Sequence, residues 1–219
     1  MQKTLELRWF VKGIPPTVVR HWFEVECPGE LFPQVEVRED LYFHGHVKNF
    51  QKFRLLNLDL RRDEEFNLKS RQGNLELKLQ QQELGTRDFS NIDGKTIWKG
   101  NIEQWCKWVI DNLESEFYLN SIKIIPKNYW IPVHKERQQR QIQDVKSELT
   151  LIRVENSLWW SIAFEMIQDE KSRQKDSYFY RAINLASQTY CGPELSTHNS
   201  YGYSRWLLQL KKGLLQTIP

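Results

Sequence analysis

Apolar and polar residues alternate along several segments of the chain. In residues 4–9 the apolar side chains are Leu5, Leu7 and Trp9, and the residues between them are polar. Because successive side chains of a β-strand point to opposite faces, this spacing predicts a strand with one apolar and one polar face. Comparable runs occupy residues 35–42, 56–61, 67–71, 75–79, 130–142, 149–154 and 158–167. The chain is therefore expected to contain at least six strands, most of them with charged side chains at every second position.

The clearest predicted hairpin lies within residues 67–79, with its turn at Gly73. If Gly73 is the first residue of a two-residue loop, Lys69 faces Lys78, and if it is the second, Lys69 faces Glu76. Any two-residue loop preserves the alternation of faces. Both registers therefore put the same charged residues on one face: Lys69, Arg71, Glu76 and Lys78.

Other predicted strands also carry charges on a single face. A hairpin is expected across residues 155–157, and an even-length loop there places Glu148 and Glu165 on the same face. The strand at 130–142 carries Lys135 and Arg137 on one face. In the strand at 35–42, the shared face consists of Glu36, Arg38, Asp40 and Tyr42.

Apolar residues at helical spacing indicate helices at both ends of the chain and one near its middle. After Pro15 and Pro16, which favour a helix start, the stripe is Val18, Val19, Trp22 and Phe23. Residues 80–100 are predicted to be a loop. A helix is expected after Asn101 as N-cap, with the stripe Ile102, Trp105, Cys106 and Val109. The tail, about residues 176–215, is predicted to be helical, with the stripes Phe179, Ile183 and Ala186, then Trp206, Leu207, Leu210 and Leu214 after a cap at Ser204.

Composition restricts the classes of protein that fit this pattern. The 219 residues are 40% hydrophobic and contain no Pro/Gly/Ser-rich linker, so one domain over residues 1–219 is expected. With 31 Lys and Arg against 28 Asp and Glu, the formal charge of +3 does not indicate nucleic acid as a partner. Cys27, Cys106 and Cys191 predict neither a disulfide framework nor a zinc site. Residues 1–20 show no signal sequence and no apolar run is long enough for a membrane span, so a cytoplasmic protein without a membrane partner is expected.

The charged strand faces allow two arrangements. An open antiparallel sheet would pack its apolar face on the helices and leave its charged face in water, which is the more common arrangement. A closed barrel would have the helices outside and the charges inside, where charges of both signs neutralise one another or a ligand. Cations on several strands suit a triphosphate better than a single phosphate. Glutamates among them could hold Mg²⁺ or Mn²⁺ that bridges to phosphate oxygens.

Four segments carry a resemblance to a known superfamily: Glu6-Leu7-Arg8, Arg38 to Tyr42, Leu68 to Lys78 and His134 to Arg137. In this order they resemble the strands of the CYTH superfamily, the triphosphate tunnel metalloenzymes, which include class IV adenylate cyclases, thiamine triphosphatase and inorganic triphosphatases. Residues 158–165 and 200–207 further resemble a poorly characterised bacterial and plant branch of CYTH-like proteins. The resemblance implies an α+β fold, with a closed or nearly closed antiparallel β-barrel over residues 3–168, helices packed outside, and a helical C-terminal tail.

The resemblance also implies a site for a triphosphate or polyphosphate ligand. Its phosphate-binding residues would be Arg8, Arg38, Lys69, Arg71, Lys78, Lys135 and Arg137. Mg²⁺ or Mn²⁺ would be held by Glu6, Glu76, Glu148 and Glu165. The chain departs from the family pattern at two carboxylates: Thr4 stands where the first strand has Glu, and Ala163 and Ile167 flank Glu165 where the last strand often carries Glu-x-Glu. The anion-binding side of the site is thus better kept than the metal side.

Three functions follow from these features. The first is a metal-dependent triphosphate hydrolase, in which the metal would polarise the terminal phosphoryl group and lower the pKa of an attacking water; no catalytic side chain is assigned. The second is a non-catalytic polyanion-binding protein, which the two missing carboxylates favour. The third is a protein-interaction module with a Trp-rich surface, which an open sheet would favour.

Overall fold

The computed structural model describes residues 2–43, 66–71, 74–110, 126–168 and 176–213. The strands in these ranges are β1 (Gln2–Lys12), β2 (Glu30–Leu31), β3 (Glu36–Phe43), β4 (Phe66–Arg71), β5 (Asn74–Ser90), β6 (Thr96–Ile110), β7 (Trp130–Ile142), β8 (Val145–Val154) and β9 (Ser157–Gln168). The helices are α1 (Thr17–His21), which continues as a π-helical turn (Trp22–Glu26), α2 (Asp176–Gln188) and α3 (Tyr203–Lys211), with 3₁₀ turns at Lys127–Tyr129 and Thr197–Asn199. The predicted strand at 56–61, the turn residues 72 and 73, and Leu214 lie outside the described residues.

Eight of these strands close into an antiparallel barrel. Their order is β7-β3-β4-β5-β6-β1-β9-β8, and β8 pairs back with β7. The two-residue strand β2 pairs with the part of β7 that follows its pairing with β3. Closure gives every barrel strand a neighbour on both sides, which removes the exposed edges of an open sheet. The expected barrel is therefore confirmed, and the open sheet with its charged face in bulk water is wrong.

The pairing of residues between neighbouring strands shows which side chains point to the same side of the barrel wall. Lys69 lies opposite Glu76, which is the second of the two predicted registers. Glu6 of β1 lies opposite Glu165 of β9. Directly opposed residues point to the same side of a sheet. By this register, one side carries Glu6, Arg8, Lys69, Arg71, Glu76, Lys78, Glu148 and Glu165. The other side carries Leu5, Leu7, Leu68, Leu75 and Leu77, all of them buried.

The outward apolar side chains of β1 pack under helices. Leu5 and Leu7 of β1 belong to one buried cluster with Trp22 and Phe23 of the π-helical turn and with Phe179 of α2. Each of these five side chains is at most 1% exposed. The predicted stripe on α2 is confirmed, since its members are buried: Phe179, Ile183 and Ala186. Among the described residues, no helix combines the length and the apolar character that a membrane crossing needs.

A second buried cluster fills one end of the barrel from the inside. It joins the inward-facing residues Phe10, Tyr42 and Trp159 to Trp206 and Leu207 of α3. The rings of Phe10 and Trp206 are stacked, with centroids 4.6 Å apart and planes 3° apart. The C-terminal helix thus plugs this end of the lumen with aromatic side chains, which makes the tunnel a pocket with an apolar floor.

The segment before α3 is bound to the barrel wall by hydrogen bonds. The backbone N–H of Tyr201 donates to the carbonyl oxygen of Arg8 at 3.1 Å. The backbone N–H of Asn101 donates to Ser200 Oγ at 2.9 Å. Since Arg8 is in β1 and Asn101 is in β6, these bonds attach the C-terminal segment to two strands and fix where α3 lies.

Three local predictions are wrong. Residues 80–100 are not a loop, because β5 and β6 form a long hairpin with a short turn at 91–95. The helix expected after Asn101 is instead part of strand β6, which pairs with both β5 and β1. The N-cap of α3 is Gly202, whose backbone is extended, and the helix begins one residue before Ser204.

The first two errors have different physical reasons, β-bulges in β5 and burial on both faces of β6. Register shifts between Gln80 and Gln82 and between Glu83 and Thr86 interrupt the alternation along β5. In β6 the inward-facing Trp105 and the outward-facing Ile102 are both buried. Apolar residues on both faces of a strand produce a spacing that resembles a helical stripe.

Candidate functional site

The charged face of the barrel encloses one cavity. Its lining includes six cationic side chains from five strands: Arg8, Arg38, Lys69, Lys78, Lys135 and Arg137. It also includes the four glutamates expected to bind metal: Glu6, Glu76, Glu148 and Glu165. The structure therefore brings ten of the eleven predicted site residues to the wall of one cavity. Arg71 does not line this cavity, although it contacts a residue that does.

Glu76 is surrounded by cations near β4 and β5. Lys69 Nζ lies 3.0 Å and Lys107 Nζ 3.1 Å from Glu76 Oε2, and Arg71 Nε lies 3.5 Å from Glu76 Oε1. Burial raises the pKa of Glu76, but Lys69, Lys107 and Arg71 outweigh burial and lower it to about 2. For Lys69, burial and the nearby Lys135 lower the pKa to about 7, against the opposing effect of Glu76. Three cations converge here on one carboxylate.

Glu148 joins two arginines from different strands. Arg8 donates to Glu148 Oε2 at 3.2 Å, and Arg137 donates to Glu148 Oε1 at 2.5 Å. Burial raises the pKa of Glu148, yet Arg137 and Arg8 together lower it to about 2. Arg137 also forms an ion pair with Glu36. Both guanidinium groups are thus held in fixed positions by charge-assisted hydrogen bonds.

Arg38 extends this network along β3. It donates to Glu36 Oε1 at 2.5 Å, and its Nε lies 3.4 Å from Asp40 Oδ2. Burial alone would lower the pKa of Arg38, but Asp40 and Glu36 raise it. The predicted shared face of β3 therefore supplies both the cation and its two counter-charges.

Lys135 is enclosed by an acid and two aromatic rings. Its Nζ donates to Asp40 Oδ2 at 2.8 Å and to the Tyr42 hydroxyl at 2.5 Å. The same nitrogen lies 3.9 Å from the ring centroid of Tyr203, close enough for a cation–π contact. The side chain is 2% exposed, and burial lowers the pKa of Lys135 to about 7 even though Asp40 opposes this shift. The charge of this lysine is therefore sensitive to what enters the cavity.

Tyr203 connects the apolar floor to the charged wall. The Arg8 guanidinium lies 4.9 Å from the ring centroid of Tyr203, and the Tyr42 ring is stacked on it at 5.1 Å. Burial raises the pKa of the Tyr203 hydroxyl to about 12, so it stays protonated at neutral pH. The floor of the cavity thus offers an aromatic ring between two cations, Arg8 and Lys135.

Glu6 and Glu165 share a single cation. Lys78 Nζ lies 2.5 Å from Glu6 Oε1 and 3.7 Å from Glu165 Oε1. Thr4 also donates a hydrogen bond to Glu6 Oε1, at 2.8 Å. Burial raises the pKa of Glu6, but the combined effect of Lys78, Thr4 and Arg8 lowers it, and the two carboxylates raise the pKa of Lys78. Lys78 and Glu6 are therefore both charged at neutral pH.

Several residues at the site were not among the site residues predicted from the sequence. Asp40 and Glu36 were recognisable, because they alternate with Arg38 on one strand face. Lys107 was hidden by the wrong prediction of a helix after Asn101. Tyr203 gave no local signal, because its position depends on where a distant helix packs.

The carboxylates of the cavity do not fit a shared divalent cation. The four predicted metal ligands fall into three separate ion-pair groups, centred on Lys78, on Arg8 with Arg137, and on Lys69 with Lys107. Mg²⁺ and Mn²⁺ require several oxygen ligands around one point. Within the described ranges, no three His, Cys, Asp or Glu side chains are grouped so that they could hold a metal ion. These residues therefore form no preformed site for the predicted Mg²⁺ or Mn²⁺.

A closed antiparallel barrel with cations and carboxylates facing its lumen agrees with the tunnel architecture that the sequence resemblance implies. No family model matches the sequence, and no curated protein matches it. Solved structures do match. A conserved hypothetical protein from Pyrococcus furiosus is 13% identical, with 92% of this chain and 98% of that chain covered and a TM-score of 0.42.

Two further structures carry the name "putative adenylate cyclase". The one from Bacillus halodurans is 11% identical, covers 89% of this chain and 96% of its own, and has a TM-score of 0.43. The one from Vibrio parahaemolyticus is 11% identical, covers 94% of this chain and 98% of its own, and has a TM-score of 0.44. These likenesses are remote in sequence.

Proposed function

We propose that the barrel lumen binds a triphosphate or polyphosphate-type anion. The observation that carries this proposal is the convergence of six Lys and Arg side chains from five strands on one cavity with a closed floor. Arg137 and Arg8 present planar guanidinium groups, which match the geometry of phosphate oxygens. An extended anion carries several phosphate groups, so it can meet cations from more strands than a single phosphate can.

Binding would exchange one set of counter-charges for another. Each cation already has a carboxylate partner, such as Glu148 for Arg8 and Glu76 for Lys69. An incoming phosphate oxygen can replace a carboxylate at similar distance, and Lys69, Lys107 and Arg71 together exceed the charge of Glu76. We therefore expect the anion to bind first near Glu76, where cations are in excess.

The arrangement of charges supports anion binding and gives no support to metal-dependent hydrolysis. Hydrolysis through Mg²⁺ or Mn²⁺ was predicted from Glu6, Glu76, Glu148 and Glu165, and these carboxylates are engaged by lysines and arginines instead. A protein-interaction role loses its main support, because the charged strand faces do not lie on an open sheet.

The test is titration calorimetry with tripolyphosphate, with ATP and orthophosphate as comparison ligands. The unmodified protein should bind tripolyphosphate more tightly than orthophosphate. Lys69→Gln should weaken tripolyphosphate binding about tenfold or more, because a charge-assisted hydrogen bond contributes roughly 1.5–3 kcal/mol. The matched control is Lys95→Gln, which removes an exposed cation outside the cavity. Equal weakening by both variants, or no binding by the unmodified protein, would contradict the proposal.

A further inference from the structure

Lys78 lies between two neighbouring carboxylates in the lumen. Glu6 and Glu165 lie directly opposite each other on β1 and β9, so their carboxylates project side by side. Lys78, from β5, reaches both, at 2.5 Å and 3.7 Å. All three side chains are mostly buried, with exposed fractions of 14%, 28% and 16% for Glu6, Glu165 and Lys78. One ammonium group therefore serves two neighbouring carboxylates.

Two adjacent carboxylates in a poorly solvated site need a cation or a proton. Without one, their mutual repulsion raises the pKa of at least one of them. A divalent ion bound by oxygen ligands and a lysine ammonium are alternative ways to meet this need. The two are mutually exclusive here, because an ammonium at 2.5 Å from Glu6 Oε1 occupies the space in which a metal ion would contact that oxygen.

Thr4 reinforces this exclusion. Its hydroxyl donates to Glu6 Oε1, the same oxygen that accepts from Lys78. A carboxylate oxygen has two lone-pair positions, so both positions of this oxygen are used. A carboxylate in place of Thr4 would have added a third acidic group facing the lumen, whereas the hydroxyl is neutral and acts as a donor. Thr4 and Lys78 thus adapt Glu6 to a nitrogen cation.

We propose that the Lys78 ammonium permanently takes the place of a divalent cation between Glu6 and Glu165, so that the lumen binds its anion without a metal. This inference rests on the proposed anion binding for its consequence, but the claim about Lys78 is independent of the anion. An ammonium carries three N–H groups. One donates to Glu6 and another can turn toward Glu165 Oε1 at 3.7 Å, which leaves at least one for an oxygen of the ligand, the bridging role a metal would otherwise have.

The decisive measurement is a calorimetric titration of the metal-free protein with Mn²⁺ alone. The unmodified protein should show no saturable Mn²⁺ binding that depends on Glu6. Lys78→Gln removes the charge and should create such binding, whereas the matched control Lys78→Arg keeps the charge and should not. Saturable binding to the unmodified protein that disappears in Glu6→Gln would overturn the proposal. A folded Lys78→Gln protein that gains no Mn²⁺ binding would overturn it as well.

A second measurement tests the consequence for the anion. Tripolyphosphate binding to the unmodified protein should have the same affinity, within about twofold, in chelator and in buffer without added metal. Loss of binding in chelator would contradict metal-independent binding. If tripolyphosphate fails to bind under every condition, the proposed function fails, while the Mn²⁺ titration still decides the role of Lys78. If Lys78→Gln does not fold, the titrations of the unmodified protein and of Glu6→Gln remain decisive.

Discussion

Lys135 lies at the contact between the charged wall and the aromatic floor. Burial disfavours its ammonium form and lowers its pKa to about 7; Asp40 partly offsets this, while Arg38 and Arg8 add to it. The unfolded chain has a lysine pKa of about 10.4. Between these two values the unfolded state binds more protons than the folded state, so the contribution of Lys135 to stability rises with pH in that window. An anion beside Lys135 would favour the charged form and raise this pKa.

We therefore predict that anion binding takes up a proton at Lys135. Sulfate is a suitable probe, because its own charge is constant between pH 6 and pH 9, about the range of the titration. Its affinity should fall as the pH rises above about 7, and Lys69, whose pKa is also lowered to about 7, should contribute to that fall. The side-chain carbon resonances of Lys135, assigned with a Lys135→Met variant, should titrate near 7 in free protein and at higher pH with saturating sulfate. A titration near the unfolded value in the free protein would show that the side chain is solvated, contrary to this prediction.

Leu77 is expected to contribute to the stability of the fold, whereas Lys69 is expected to contribute to anion binding. Leu77 is fully buried on the outward side of β5, so Leu77→Ala should lower the free energy of unfolding by about 2–5 kcal/mol. It should leave the affinity for tripolyphosphate unchanged, because its side chain points away from the lumen. Val37→Ala is the exposed control, with an expected change within about 0.5 kcal/mol. Urea denaturation and calorimetry measure the two quantities, and a loss of affinity in folded Leu77→Ala would mean that the two sides of the wall are coupled.

At the element scale, the sequence was most informative where strands are regular. The alternation in β1 and the turn predicted at Gly73 were sufficient to assign faces, since tight antiparallel hairpins preserve parity. Strands β5 and β6 were misjudged beyond Gln80, because bulges shift parity and because Trp105 and Ile102 are buried on opposite faces of one strand. There the extended conformation comes from pairing with neighbouring strands, which the local residue pattern does not encode.

Arg140 stabilises the end of the N-terminal helix from a distant strand. Its guanidinium donates to the carbonyl oxygens of Phe23, Glu24 and Gly29, at 2.5, 2.7 and 2.7 Å. These bonds satisfy carbonyl groups that a helix end leaves without internal partners. Arg140→Met should lower the free energy of unfolding by about 1.5–3 kcal/mol, the contribution expected for hydrogen bonds to a charged group. Urea denaturation should show almost no change for the exposed control Arg153→Met; similar losses for both would refute a specific role for Arg140.

At the scale of the whole molecule, the sequence predicted which charged residues share a face but not how one end of the barrel is closed. The parity of the charged segments allowed either an open sheet or a closed barrel, and the resemblance that their order carries favoured a shared lumen. The plug depends on contacts between residues about 200 positions apart, such as Phe10 with Trp206. The amphipathic pattern of α3 shows that one face must be buried, and many surfaces of the barrel could accept such a face. The hydrogen bond from the Tyr201 N–H to the Arg8 carbonyl oxygen holds α3 at one particular end of the lumen.

Because the plug carries Tyr203 into the cavity, its packing should control both stability and the electrostatics of the lumen. Trp206 is fully buried, with its ring against Phe10, Trp159 and Tyr203. Trp206→Ala should lower the free energy of unfolding by about 3–5 kcal/mol. By loosening Tyr203 it should also admit water to Lys135 and raise that lysine's pKa from about 7. Urea denaturation and the Lys135 carbon resonances report the two effects in one sample.

The control variant is Leu210→Ala, whose side chain is only partly buried. It should lose less stability than Trp206→Ala and should leave the Lys135 titration in place. A destabilised Trp206→Ala protein in which Lys135 still titrates near 7 would show that the plug supports the barrel without shaping its lumen.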